Sequence, residues 1–398
     1  MMTIDAQTFS HFLRTLMGGF VLAWTLSTPA LAQPTDAPSA FLLGADISTL
    51  AQVEQRGGVF RDAGKPDDAI AIFCRHGWNC FRLRLFVNPS GRGGAINSLD
   101  YTRALAKRIK ASGATFILDV HYSDTWADPQ HQVKPAAWKD MDFDSLQSAV
   151  ENYTAGVMAD LKRSGALPQI VQVGNEITGG TLWPDAQVEV PLSTVKVFDS
   201  TVKPIKPPLP YDDAKQWERF SRILAAGIRG VRRSTAPSDE VRVMIHIDCG
   251  GDWPVTQWFF DHLSQRHVDY DIIGQSYYPY WHGTLANVRE NLQQTASRYH
   301  KDIIIVETAY PWKGAARWSA RKNMSWPVSA AGQKQFMEDL IGVVRATPGG
   351  HGIGVVYWHP ESVPIRNSGG NWNGGEMSLF DNNGGTLPAI DALRVSQP

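Results

Sequence analysis

The sequence predicts a single α/β domain folded as a closed parallel (β/α)8 TIM barrel. Two observations carry this expectation. From residue 41 to the C-terminus, short apolar or β-branched runs alternate with stretches of helical spacing, and the runs number eight. An open doubly wound sheet shares the alternation but has no reason to stop at eight, whereas a closed barrel does. No low-complexity linker interrupts the pattern, so residues 33–398 read as one domain whose long strand-to-helix loops form a cleft.

The strands follow in order. Leu42 to Asp46 is the first, and Cys80 to Phe86 the second, with Arg82 and Arg84 sharing the parity that points into a barrel. Thr115 to His121, Ile170 to Asn175 and Val241 to Ile247 are the third to fifth. Ile272 to Tyr277, Ile303 to Glu307 and Val355 to Trp358 complete the eight. Between them, Tyr101, Ala104, Leu105 and Ile109 make one helical stripe, and Leu146, Val150, Tyr153, Val157 and Leu161 another. Gly113 and Gly165 stand where the C-caps of these helices belong. Two further stripes are Phe220, Ile223, Leu224 and Val231, and Phe336, Leu340, Val343 and Val344. The Pro-rich, aperiodic stretch from Thr181 to Asp212 is a long loop after the fourth strand. It is read as one wall of the cleft, with a surface insertion of no function as the alternative.

Outside the barrel, Arg14 precedes an apolar run from Leu16 to Leu26 and a small-residue Ala30-Leu31-Ala32 site. This reads as a secretory signal peptide over residues 1–32, because the run is far short of the roughly 20 residues of a membrane span. The remainder is then expected outside the cytoplasm, secreted or periplasmic. A net charge of −1 argues against nucleic acid and anionic membranes as partners. The 14 tryptophans supply flat faces suited to sugar rings, though core packing accounts for most Trp in any protein. Cys74, Cys80 and Cys249 form no disulfide framework; Cys74 and Cys80 are either bridged or buried free thiols. Their spacing resembles no zinc site, and no metal or other cofactor is expected.

In a barrel, chemistry sits at the C-terminal ends of the strands. Asp46, Arg84, His121, Asn175, Glu176, His246, Asp248, Tyr277, Glu307 and Trp358 all fall there. Two of them, Glu176 and Glu307, terminate apolar strands directly, so each must face a cleft or a charged partner. A pair of opposed carboxylates is what glycosidic cleavage needs: one protonates the leaving oxygen, the other attacks the anomeric carbon or activates water. The competing reading is two salt-bridged rim residues. Asn175 is placed to hydrogen-bond a sugar hydroxyl beside the scissile bond. Arg82 or Arg84 would hold the nucleophile ionised, unless they form a structural ion pair, and Arg84 is expected nearer the rim. Tyr277 is expected to donate to Glu307, and Trp358 to floor a sugar ring. The HYSDTWADP run groups His121, Asp124, Trp126 and Asp128 in one loop suited to a sugar subsite, although Asx-turn chemistry explains part of it without a ligand.

On these residues the chain resembles family 53 of the glycoside hydrolases, the arabinogalactan endo-β-1,4-galactanases. The blocks that carry the resemblance run from Phe41 to Leu393: LLGADIS, NCFRLRLFVNP, HYSDTWADP, VGNEITGGTLWP, GQSYYPYW, IIIVETAYPW, VVYWHPE and SLFDNNGGTLPAI. The resemblance implies Glu176 of GNE as acid/base, Glu307 of VET as nucleophile, and a retaining mechanism with carboxyls about 5 to 5.5 Å apart. It also implies internal cleavage of the β-1,4-galactan side chains of pectin; the protein is expected to act as a monomer. Some bacterial members of the family bind calcium in the loop after strand seven; here that loop reads KGAARWSARKN, which is basic, and calcium is not expected. Two other readings stand beside this one. The same barrel and acid pair would serve another polysaccharide such as mannan or glucan, and a catalytically silent sugar-binding barrel would keep the fold.

Overall fold

All eight apolar runs become strands. The structure, a computed structural model, describes residues 41–193, 195, 211–365 and 372–393; the expected signal segment lies outside the described residues. The strands are β1 (Leu42–Asp46), β2 (Cys80–Leu85), β3 (Thr115–Val120), β4 (Ile170–Val173), β5 (Arg242–Ile247), β6 (Ile272–Ser276), β7 (Asp302–Thr308) and β8 (Gly352–Trp358). Each pairs in parallel with its sequence neighbours, and β1 pairs with β8, so the sheet closes into a barrel.

Among the described residues one helix of seven residues or more follows each of the first seven strands: α1 (Ala69–Arg75), α2 (Leu99–Ala111), α3 (Phe143–Arg163), α4 (Asp213–Ser234), α5 (Trp253–Gln265), α6 (Leu285–Tyr299) and α7 (Ala330–Arg345). Each starts on a side chain that caps it. Asp68, Ser98, Asp142, Asp212, Asp252, Thr284 and Ser329 all accept from a backbone N–H of the first turn. Gly113 and Gly165 lie just past α2 and α3 with φ of 79° and 70°, the left-handed stop that glycine adopts without strain.

Strand ends differ from expectation where glycine intervenes. β8 starts at Gly352, three residues before the expected Val355, because Gly352 and Gly354 mask the strand pattern; a Cβ on Gly354 would meet Leu42 Cβ at 2.8 Å. At the other extreme β4 stops at Val173, since Gly174 turns the chain with φ of 84°.

Two layers of packing result. Between strands and helices lies a continuous apolar shell that includes Leu83, Leu118, Val171, Ile245, Ile273, Ile303 and Val355. Inside the barrel, Cys80, Ile117, Ile170, Met244, Ile272, Ile304 and Val356 form a smaller dry plug. Cys74 packs against the outer shell and Cys80 points into the plug, so the sheet separates them and all three cysteines are free. The first part of the long loop after β4 folds back as a two-stranded hairpin, Gly180–Thr181 with Ala186–Gln187. No helix among the described residues is long and apolar enough to cross a membrane.

Candidate active site

Above the apolar plug, the inward positions of the barrel turn polar. Asp46, Arg82, Asp119, Gln172, His246 and Ser276 are all fully buried there. Arg82 is the hub. Its guanidinium donates to Gln172 Oε1 at 3.1 Å, Asp46 Oδ2 at 3.0 Å, Asp119 Oδ2 at 2.9 Å, Asn175 Oδ1 at 2.8 Å and Glu307 Oε1 at 2.8 Å. Five donors in a rigid fork fit this planar arrangement, which a lysine ammonium would not reproduce.

Glu307 reaches this hub through an irregularity in β7. Residues alternate in and out along a strand, and Ile304 and Val306 already face inward. Regular alternation would then turn Glu307 toward the helices. Both neighbours count one extra residue in β7: Gln275 and Ser276 face Ile305 and Glu307, while Ile305 and Thr308 face Val355 and Tyr357. This β-bulge turns Glu307 inward beside Val306, a common use of bulges next to functional sites.

Glu176 is presented differently. It follows the Gly174 turn and sits in the left-handed region, φ 47° and ψ 49°. That conformation is strained for a residue with a side chain, and such strain collects at functional sites. Its Oε1 accepts from the Ser276 hydroxyl at 2.7 Å, and Ser276 Oγ lies 2.9 Å from His246 Nε2. Glu307, in contrast, receives a guanidinium on Oε1 and the Tyr278 hydroxyl on Oε2 at 3.1 Å.

The two carboxyls line one cleft together with Trp126, Asp128, Asn175, Tyr278, Trp281 and Trp358. Arg84 lies behind its aromatic wall, 4.2 Å from the Trp126 ring centroid and 5.1 Å from that of Trp358. Electrostatics separate the pair. Burial pushes the Glu307 carboxyl up to about 7, and the Arg82 guanidinium opposes the rise. Glu176 rises well above 4.5, first through burial and then through the negative charges of Glu307 and Asp248, with the Ser276 hydrogen bond opposing. Asp119 is held below its usual range despite burial, because Arg82 and His121 flank it.

The sequence profile of glycosyl hydrolase family 53 matches residues 42–393. The chain belongs to this family. An uncharacterised protein from Niallia circulans is 40% identical over 368 residues, covering 89% of this chain and 94% of its own. The arabinogalactan endo-β-1,4-galactanase of Thermothelomyces thermophilus is 31% identical over 361 residues, covering 88% and 98%. The family 53 catalytic domain of Ignisphaera aggregans superposes with a TM-score of 0.78 at 29% identity, covering 91% of this chain and 97% of that one.

Among the residues singled out in this family 53 chain, Trp126, Asp128, Asn175 and Trp358 line the cleft with the glutamates. The other eight, Arg82 among them, stand behind it and hydrogen-bond within the protein. Asp46 holds Arg82 and the Ser48 amide and hydroxyl. Arg84 is nearer the rim than Arg82, as expected, but donates to Asn97 and contacts His359 rather than Glu307. His121 sits between Asp119 and the Ala127 amide, and Asp124 caps the Asn88 and Ala136 amides, the local loop chemistry weighed above. His246 serves Ser276, and Asp248 accepts from the Thr178 hydroxyl.

Tyr277 corrects an expectation. Its hydroxyl donates to Gly283 O, and the next residue, Tyr278, takes the place at Glu307. Tyr277 stands at the expected strand end, but the inward positions along β6 run Ile272, Ser276 and then Tyr278, so alternation turns Tyr277 toward Phe336 of α7. Sequence reasoning also missed Ser276, Gln172 and Trp281. Ser276 and Gln172 share inward parity with their strands and were readable as such; Trp281 lies in the short helix Pro279–His282, which has no such signal.

Of the long loop, none of the described residues 181–193 lines the cleft. The loop after β7 carries Lys313, Arg317, Arg321 and Lys322, and its nearby carboxylate, Glu376, is engaged by Arg317 and the Trp318 indole. This donor set does not fit calcium, which takes six to eight oxygens. No cluster of three or more His, Cys, Asp or Glu side chains among the described residues is arranged to hold a metal.

Proposed function

We propose that this glycoside hydrolase is a retaining endo-β-1,4-galactanase that cuts the galactan side chains of pectin. The observation that carries the reading is the asymmetric pair in one cleft: Glu307 beside a cation, Glu176 beside neutral donors. The name of the Thermothelomyces thermophilus relative supports the substrate. In the first step a Glu307 carboxylate oxygen bonds to the anomeric carbon as the glycosidic C–O bond breaks, and the Glu176 proton goes to the departing oxygen. In the second, water attacks the anomeric carbon, Glu176 takes its proton, and the bond to Glu307 breaks. Two inversions leave the anomeric configuration unchanged. Arg82 and Tyr278 stabilise the carboxylate Glu307 begins and ends as, and Trp126, Trp281 and Trp358 offer rings for sugar faces. The N-terminal segment directs the chain out of the cytoplasm, where its polysaccharide lies, and it acts as a monomer.

The test is reducing-sugar release on debranched galactan beside mannan, xylan and mixed β-glucan, with products followed by NMR in the first minutes. Short galacto-oligosaccharides formed as the β-anomer are expected from galactan alone. Release only from another glycan would move the specificity, initial α-anomer would overturn retention, and no release from any would favour a sugar-binding protein.

A further inference from the structure

A chain of hydrogen bonds leads away from Glu176 and stops at a backbone amide. His246 Nδ1 lies 3.3 Å from the Glu176 amide nitrogen, 3.1 Å from Gln172 Nε2 and 3.0 Å from Asn175 Oδ1. The backbone N–H cannot rotate and is aimed at the ring nitrogen, so Nδ1 must offer a lone pair. Asn175 Oδ1 already accepts from the Arg82 guanidinium at 2.8 Å and needs no further donor. The imidazole is completely buried, and burial with the nearby Arg82 charge keeps it neutral. A neutral ring with a bare Nδ1 carries its proton on Nε2.

The rest of the chain is then determined. Nε2–H donates to Ser276 Oγ, and the serine, with that lone pair occupied, turns its one proton to Glu176 Oε1. Oε1 is thereby an acceptor only. Among the described residues Oε2 has no hydrogen-bond partner, and Glu176 lines the cleft. We infer that His246 and Ser276 are positioning residues that force the acid proton of Glu176 onto Oε2, the oxygen free to meet a glycosidic oxygen. Without them the carboxylic proton has a second resting place on Oε1, where it faces the protein wall instead of the leaving group.

This inference rests on Glu176 being the acid/base, and the experiment separates the two. Glu176→Ala, Ser276→Ala, His246→Ala and His246→Gln are compared on galactan and on a dinitrophenyl β-galactobioside, whose leaving group needs little protonation. Glu176→Ala should lose far more on galactan than on the aryl substrate; an equal loss would remove Glu176 from its role. Ser276→Ala and His246→Ala should show the same bias, roughly tenfold to a hundredfold greater loss in kcat on galactan. His246→Gln, whose amide nitrogen takes the place of Nε2, should recover part of it. Equal loss on both substrates for Ser276→Ala, with Glu176→Ala behaving as expected, would overturn the relay alone. Nitrogen-15 NMR of the ring in the unmutated enzyme gives a test independent of folding: the Nε2–H tautomer is required, and an Nδ1–H or doubly protonated His246 would overturn the inference.

Discussion

The β2–β7 side of the cleft and the β4–β6 side each deliver one carboxyl, and they surround it in opposite ways. Around Glu307 stand a phenol and a guanidinium, the guanidinium fixed by further ion pairs to Asp46 and Asp119. Around Glu176 stand a serine hydroxyl and a neutral histidine, with Asp248 adding negative charge behind. The same side chain, buried at both addresses, thus meets a cation at one and neutral or negative groups at the other. Environment rather than residue type assigns the roles.

The largest effect should come from breaking the anionic side. Glu307→Gln is expected to lower kcat on galactan by on the order of 10⁴ to 10⁶ while the far-ultraviolet circular dichroism stays native; near-normal turnover would remove the assignment. Next, Glu176→Gln should cost about 10² to 10⁴ in kcat, with azide restoring part of the rate on an activated aryl substrate.

A third change sharpens the contrast through pH. Attack requires an ionised Glu307, so kcat/KM should fall as pH drops through about 7, above the usual carboxylate range. Arg82→Lys leaves one ammonium where a fork bound three carboxylates, so the acid limb should move to higher pH. Because the network is buried, unfolding in urea should show a loss of about 3 to 5 kcal/mol. An unmoved limb would mean that Arg82 does not govern Glu307.

The smallest effect concerns stability. Glu176 has its folded-state pKa raised above 4.5, so the folded protein binds that proton more tightly than the unfolded chain does. Its contribution to stability therefore declines as pH rises from about 4.5 toward the folded value. Gln cannot ionise and escapes the decline. Glu176→Gln should match the parent near pH 4 and exceed it by roughly 1 kcal/mol or more at pH 8, read by thermal unfolding. Equal stability at both pH values would show that the carboxyl is not strained by burial.

The same contrast explains what could be read from the sequence. The eight strands were legible because buried parallel strands are written as continuous apolar runs bounded by turn signals, and β1 (Leu42–Asp46) was located to the residue. Both glutamates were legible because a charge ending such a run has few places to go. The inward aim of Glu307 was not, since the β7 bulge depends on pairing with two strands distant in sequence. Tyr278 shares the inward parity of Ile272 and Ser276 but lies past the end of β6, where position alone favoured Tyr277. Arg82 and Arg84 looked equivalent by parity; only the stagger between strands decides that one meets the carboxylates and the other lies under the tryptophans. His121, Asp124 and Asp248 read as ligand-facing because a polar residue at a strand end looks alike whether its partner is a sugar or the protein's own backbone.

The central claim is that Glu307 forms a covalent bond to the sugar while Glu176 supplies and retrieves the proton. Incubation with a 2-fluoro-β-galactobiosyl fluoride, which slows the second step more than the first, followed by intact-mass and peptide analysis, tests it most directly. The account predicts one glycosyl unit per chain, attached to the peptide at Glu307. Stoichiometric labelling of any other residue, or turnover of a natural galactan with inverted products and no label, would contradict it.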